Sequence, residues 1–102
     1  MASWDELLDE LQADPRVEPA QMMGYQCAKV NGKIFVSYGD GAYVFKLPRE
    51  RVDAMVESGE GEPFDPLDNG RVMKEWVRVP DPGENAHALA DEAREFVLSL
   101  TR

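Results

Sequence analysis

Apolar residues in this chain recur with two different periods, and the switch between them divides it into elements. Trp4, Leu7, Leu8 and Leu11 stand at i, i+3, i+4 and i+7, the spacing that gathers side chains on one face of an α-helix. Ser3 and Glu6 make a capping-box pair ahead of that run, and Asp5 and Glu6 occupy the first turn, where the helix dipole favours acids. Asp14-Pro15 then stops it. The pattern predicts a short first helix.

From Met22 onward the period shortens. Residues 23–30, 33–38 and 42–47 are rich in aromatic and β-branched types, and Asn31-Gly32 and Asp40-Gly41 separate them. Both dipeptides accept the positive φ of a two-residue hairpin, so three antiparallel strands in a meander are expected. Strand alternation points Ile34, Val36 and Tyr38 one way and Phe35 the other, and sets Tyr43, Phe45 and Leu47 against Val44. A strand with one wet face alternates apolar with polar, and these do not. Either helices cover both faces of the sheet or a second subunit covers one.

Pro48 opens a second helix carrying Val52, Met55 and Val56, which ends near Ser58-Gly59. A loop with Pro63 and Pro66, and a short strand around Glu62 to Asp65, lead to a turn at Asn69-Gly70 and a strand over 71–79. Pro80 and the Asp81-Pro82-Gly83 turn close that strand. A last helix over 85–100 carries Leu89, Ala90, Ala93, Phe96, Val97 and Leu100 on one face. The order α-β-β-β-α-β(β)-α defines an α+β fold, and with no repeat or dividing linker, residues 1–102 form a single domain.

Charge narrows the function classes. The chain of 102 residues carries a formal net charge of −9. Residues 1–20 hold six acids against Arg16 alone, and residues 81–102 hold five against Arg94 and Arg102, whereas the middle is nearly balanced. Duplex binding draws its free energy from cations that displace counterions, so direct nucleic-acid binding is expected to be weak. The first residues lack the basic start and apolar run of a signal peptide, no stretch has the length of a membrane span, and Cys27 is the lone cysteine. A cytoplasmic location without membrane association is expected.

Candidate chemistry is sparse. Cys27 and His87 are each single and far apart, so the four ligands of a zinc site are not assembled. The stretch from Asp65 to Gly70 has Leu67 at the third position of a calcium loop and Trp76 at the twelfth, and reads as a turn. His87 has no Ser or Cys partner in a recognisable motif and reads as an exposed histidine in the first turn of the last helix. Cys27 reads as a small core hydrophobe. No catalytic residue, cofactor site or metal site is predicted. One segment stands apart: alternation over 71–79 places Lys74, Trp76 and Arg78 on one face, an aromatic between two cations, suited to stacking a base or meeting a subunit. The alternative is that the basic stems merely cover Trp76.

Glu18-Pro19-Ala20-Gln21-Met22-Met23-Gly24, the Val30-Asn31-Gly32-Lys33 hairpin, Tyr43-Val44-Phe45-Lys46-Leu47 and Gly70-Arg71-Val72-Met73-Lys74-Glu75-Trp76-Val77 follow in an order and spacing that resembles the TfoX/Sxy N-terminal domain family. The last stretch is similar to the family's G-R-x-M-K-x-W-V segment; Met23 stands where that family usually has Phe. The resemblance implies helices against an antiparallel sheet, similar in fold to type III secretion chaperones, and attaches no catalytic residue. The absent catalytic set and the doubly apolar strands lead to the expectation of a non-enzymatic regulatory or protein-interaction domain with a protein partner still to be identified. The alternative is a small nucleic-acid or ligand binder using Lys74, Trp76 and Arg78. The doubly apolar strands add the expectation of a homodimer, with Val36 and Val44 as outward positions at which a charge would split it.

Overall fold

The computed structural model of the protein describes residues 4–22, 24–39, 41–65, 73–80 and 85–100. Its elements are α1 (Trp4–Leu11), β1 (Val17–Met22), β2 (Tyr25–Val30), β3 (Lys33–Gly39), β4 (Ala42–Lys46), α2 (Arg49–Ser58), β5 (Glu62–Pro63), β6 (Trp76–Val79) and α3 (Ala86–Leu100). The strands form one antiparallel sheet in the order β1-β2-β3-β4-β6-β5. This is the α+β fold expected, with one strand more than the sequence pattern predicts. β1 escapes that pattern because it is an edge strand with only Val17 buried, and its Pro19 is tolerated where one side of the ladder is open.

Cross-strand partners share a face, which settles where the helices lie. Ala28, Val36, Phe45 and Val77 form one row across β2, β3, β4 and β6. All belong to a single buried cluster with Trp4, Leu7 and Leu11 of α1, Val52 and Met55 of α2, and Leu89, Ala93 and Val97 of α3. Arg51 of α2 also pairs with Glu92 of α3 at 3.0 Å. Described helices therefore share one face of the sheet. Each fully buried Val or Leu on that face contributes about 1.5–3 kcal/mol, so the two-layer packing is the main stabilising term.

The register shifts between Ala28 and Lys29, where Ala28 pairs with Val36 and Lys29 with Ile34. Phe35 is the extra residue of this bulge, so it and Val36 are both fully buried in the helix-side cluster, while Ile34 turns to the other face. The simple alternation expected for Ile34, Phe35 and Val36 fails for that reason. Val36 is accordingly not an outward position. Val44 does lie on the other face, opposite Ser37 and Arg78, but is itself 1% exposed.

Helix termini follow local chemistry. Pro48 precedes α2, and Gly59 ends it with φ 82° and its N–H donating to the Val56 carbonyl at 3.3 Å. In α3 the buried stripe is Ala86, Leu89, Ala90, Ala93, Val97 and Leu98; Phe96 is half-buried and Leu100 is exposed, so Leu98 takes the place expected for them. Of the strand expected over 71–79, residues 71 and 72 lie outside the described residues, and among the rest Trp76–Val79 is strand, because Met73 O accepts the Trp76 N–H at 3.1 Å and makes Met73–Trp76 a turn. Ser3, the Asn69-Gly70 turn and the Asp81-Pro82-Gly83 turn lie outside the described residues. No described helix is long and apolar enough to cross a membrane.

Candidate functional site

The face of the sheet without helices carries the row Cys27, Ser37, Val44, Arg78 and Glu62, with Lys46 opposite Trp76 beside it. A groove of about 330 Å³ runs over part of this face. The buried Cys27 and Ser37 line it together with the half-buried Tyr25, Ile34, Phe64 and Trp76. Met22 and Met73 stand at the rim, 53% and 43% exposed. The lining is almost wholly apolar. Methionine at the rim matters because its unbranched thioether adapts to differently shaped apolar partners.

Local hydrogen bonding holds part of this lining. Met73 N–H donates to the Phe64 carbonyl at 2.9 Å, and Leu47 N–H donates to the Glu75 carbonyl at 3.0 Å. These anchor the turn that presents Trp76. Phe64 packs against Trp76 with ring centroids 6.4 Å apart at a tilt of 50°. Lys46 Nζ sits 5.0 Å from the Trp76 centroid and 3.6 Å from Glu75 Oε1.

Trp76 is also where two further concavities meet the groove. One, of about 430 Å³, is lined by Lys29, Lys33 and Lys46 with Ile34 and the end of α3. The other, of about 460 Å³, is lined by Lys46, Arg49, Met73, Lys74 and Glu75. Every lysine of the chain lines one of these two notches.

The three residues singled out from the sequence part company here. Trp76 is central. Lys74 lies in the turn before β6 and lines a notch. Arg78 shares the face of Trp76, as alternation requires, but is paired with Glu62 at 2.5 Å and lines none of the three concavities. The cation over the Trp76 ring is Lys46, two strands away in sequence but its register partner. Sequence reasoning missed Met22, Phe64 and Met73, which lie at a strand end and in loops without periodicity. The i, i+2 spacing of Tyr25, Cys27 and Lys29 was the available sign that these three share a face.

Cys27 is buried in the lining of the groove, outside the helix-side cluster, and its Sγ–H donates to the Tyr25 carbonyl at 3.7 Å. Burial pushes its thiol up, with Lys29 opposing, so the thiolate needed for nucleophilic chemistry is disfavoured. His87 is exposed in α3, with Nε2 3.7 Å from Glu10 and Nδ1 3.5 Å from Asp91. Among the described residues no three potential metal ligands converge. Comparison with protein-family models, curated proteins and solved structures gives no match to this chain.

Proposed function

We propose that this chain is a non-enzymatic protein-interaction or regulatory domain of the TfoX N-terminal type, and that it takes a segment of a partner protein into the groove on its helix-free sheet face. The observation that carries this reading is the apolar groove itself. It is flanked by Met22 and Met73, which with Leu100 are the exposed large apolar side chains among the described residues. Isolated exposed apolar residues are ordinary, but an apolar concavity with an adaptable rim is the usual form of a recognition surface.

Selection from a displayed peptide library tests it. Peptides with an apolar anchor should be enriched on the parent chain and lost on the Met22→Glu/Met73→Glu variant, whose substitutions lie at exposed positions and leave the fold intact. Enriched peptides that bind parent and variant equally would place recognition elsewhere on the molecule.

The rival reading, a nucleic-acid binder, has the cations around Trp76 in its favour. Against it, one face of the Trp76 ring already holds Lys46 and Phe64 packs against the same ring, which leaves little surface for a stacked base.

A further inference from the structure

The cations of this protein are distributed in a way its overall charge does not predict. In an acidic chain every base has carboxylates available, and away from Trp76 the described bases use them. Arg16 pairs with Asp14, Arg51 with Glu92, Arg78 with Glu62, and Arg94 with Asp91 and Glu95. At Trp76 the pattern reverses. Among the described residues, Lys29, Lys33, Arg49 and Lys74 have no carboxylate within ion-pairing distance, and only Lys46 is paired, with Glu75. The unpaired cations all line the two notches that flank Trp76 and open beside the apolar groove.

We infer that the partner segment is an acidic peptide with an apolar anchor. The anchor side chain enters the groove over Cys27, Ile34 and Ser37, beside the packed Phe64–Trp76 pair, and neighbouring carboxylates reach Lys29 and Lys33 in one notch and Arg49 and Lys74 in the other. This rests on the reading of the groove as a partner site and adds the chemistry of the partner. Two basic notches that meet at Trp76 beside one apolar groove suit an extended chain that carries more than one carboxylate near an apolar residue. A single-headed amphiphile would satisfy only one of them.

Of the acids at the notches, Glu75 is paired with Lys46, and Glu18 stands opposite Lys29 in the sheet register without reaching ion-pairing distance. The acids of α1 project from the helix layer on the opposite side of the sheet, in a molecule 26 Å across its shortest dimension. Screening at physiological salt acts over about 8 Å, so the approaching peptide senses the local cations first. The cations contribute to encounter rate and partner choice, and the apolar anchor to residence.

Fluorescence anisotropy with three labelled probes tests the inference. The first is a peptide with glutamates on both sides of a central Leu-Phe pair, the second has glutamine in place of every glutamate, and the third is a single-stranded oligothymidylate. The acidic peptide should bind about tenfold or more tighter than the glutamine peptide, and about tenfold weaker to Lys33→Glu/Lys74→Glu than to the parent. Both substituted lysines are exposed, and an unchanged circular dichroism spectrum confirms that the variant is folded. Equal binding of the two peptides would overturn the charge inference and leave the groove reading standing. Failure of both peptides to bind would overturn both. Tighter binding of oligothymidylate than of the acidic peptide would transfer the site to nucleic acid.

Discussion

Asp14 shows how much of the local architecture rests on one side chain. Its carboxylate accepts from Arg16 Nε at 3.0 Å, Arg16 Nη2 at 2.8 Å and the Arg16 backbone N–H at 2.9 Å, and lies 3.9 Å from Arg94 of α3. The turn between α1 and β1 is thereby tied to the last helix. The side-chain hydrogen bonds from Arg16 lead in holding the Asp14 carboxyl down at about 2, against 3.8 for an ordinary aspartate. A depressed folded-state value means that the stabilisation is fully present above pH 3.8 and is lost as the pH falls towards 2. Denaturant melts of the parent and of Asp14→Asn, followed from pH 5 to pH 2, should therefore converge at the acid end. A gap between the two that stays constant across the series would mean that the carboxylate's charge is not what stabilises this turn. The salt bridge is at the surface and screened by solvent, so the gap at pH 5 should be small.

At the scale of elements, the parts that were legible in the sequence are those with a strong local signal. The i, i+3, i+4, i+7 run of Trp4 to Leu11, the Asn31-Gly32 hairpin and the Pro48 and Gly59 boundaries of α2 all stand where residue chemistry puts them. What was not legible depends on partners distant in the chain. β1 is polar and becomes a strand because β2 offers an edge. The bulge at Phe35 reverses the face of Ile34, and no local pattern announces it. The candidate site was half legible: Trp76 and Lys74 were visible as an aromatic beside a cation, but Lys29, Lys33, Lys46 and Arg49 join them only through sheet pairing and the end of α3. Gly61, in the connection between α2 and β5, is another contact of this kind. A Cβ there would collide with Val77 Cγ2, close to Met55 where α2 packs on β6. Gly61→Ala should cost about 1–3 kcal/mol through overpacking, read as a lowered denaturation midpoint. An unchanged midpoint would mean that α2 is free to move away from the sheet.

Over the whole molecule, the described helices pack on one side of the sheet and the apolar groove lies on the other, while the two basic notches take in the end of α3 and Arg49 of α2. The doubly apolar strands behind the expected homodimer have one face covered by the described helices. A charge at Val36 would report on the core beneath α3 rather than on any interface. The same two-layer arrangement separates the two tryptophans. Trp4 is buried on the helix side, stacked on Tyr38 at 6.1 Å, and Trp76 lines the groove on the other side. Their indole N–H signals therefore report on opposite layers of one small domain, and the Trp76→Phe variant assigns them. Addition of the acidic, apolar-anchored peptide to the ¹⁵N-labelled chain tests the central claim most directly. The Trp76 indole signal should shift progressively to saturation while that of Trp4 stays in place. A Trp4 signal that moves while Trp76 stays fixed, or two signals that both stay fixed at saturating peptide, would contradict the assignment of the helix-free face as the site where this protein meets its partner.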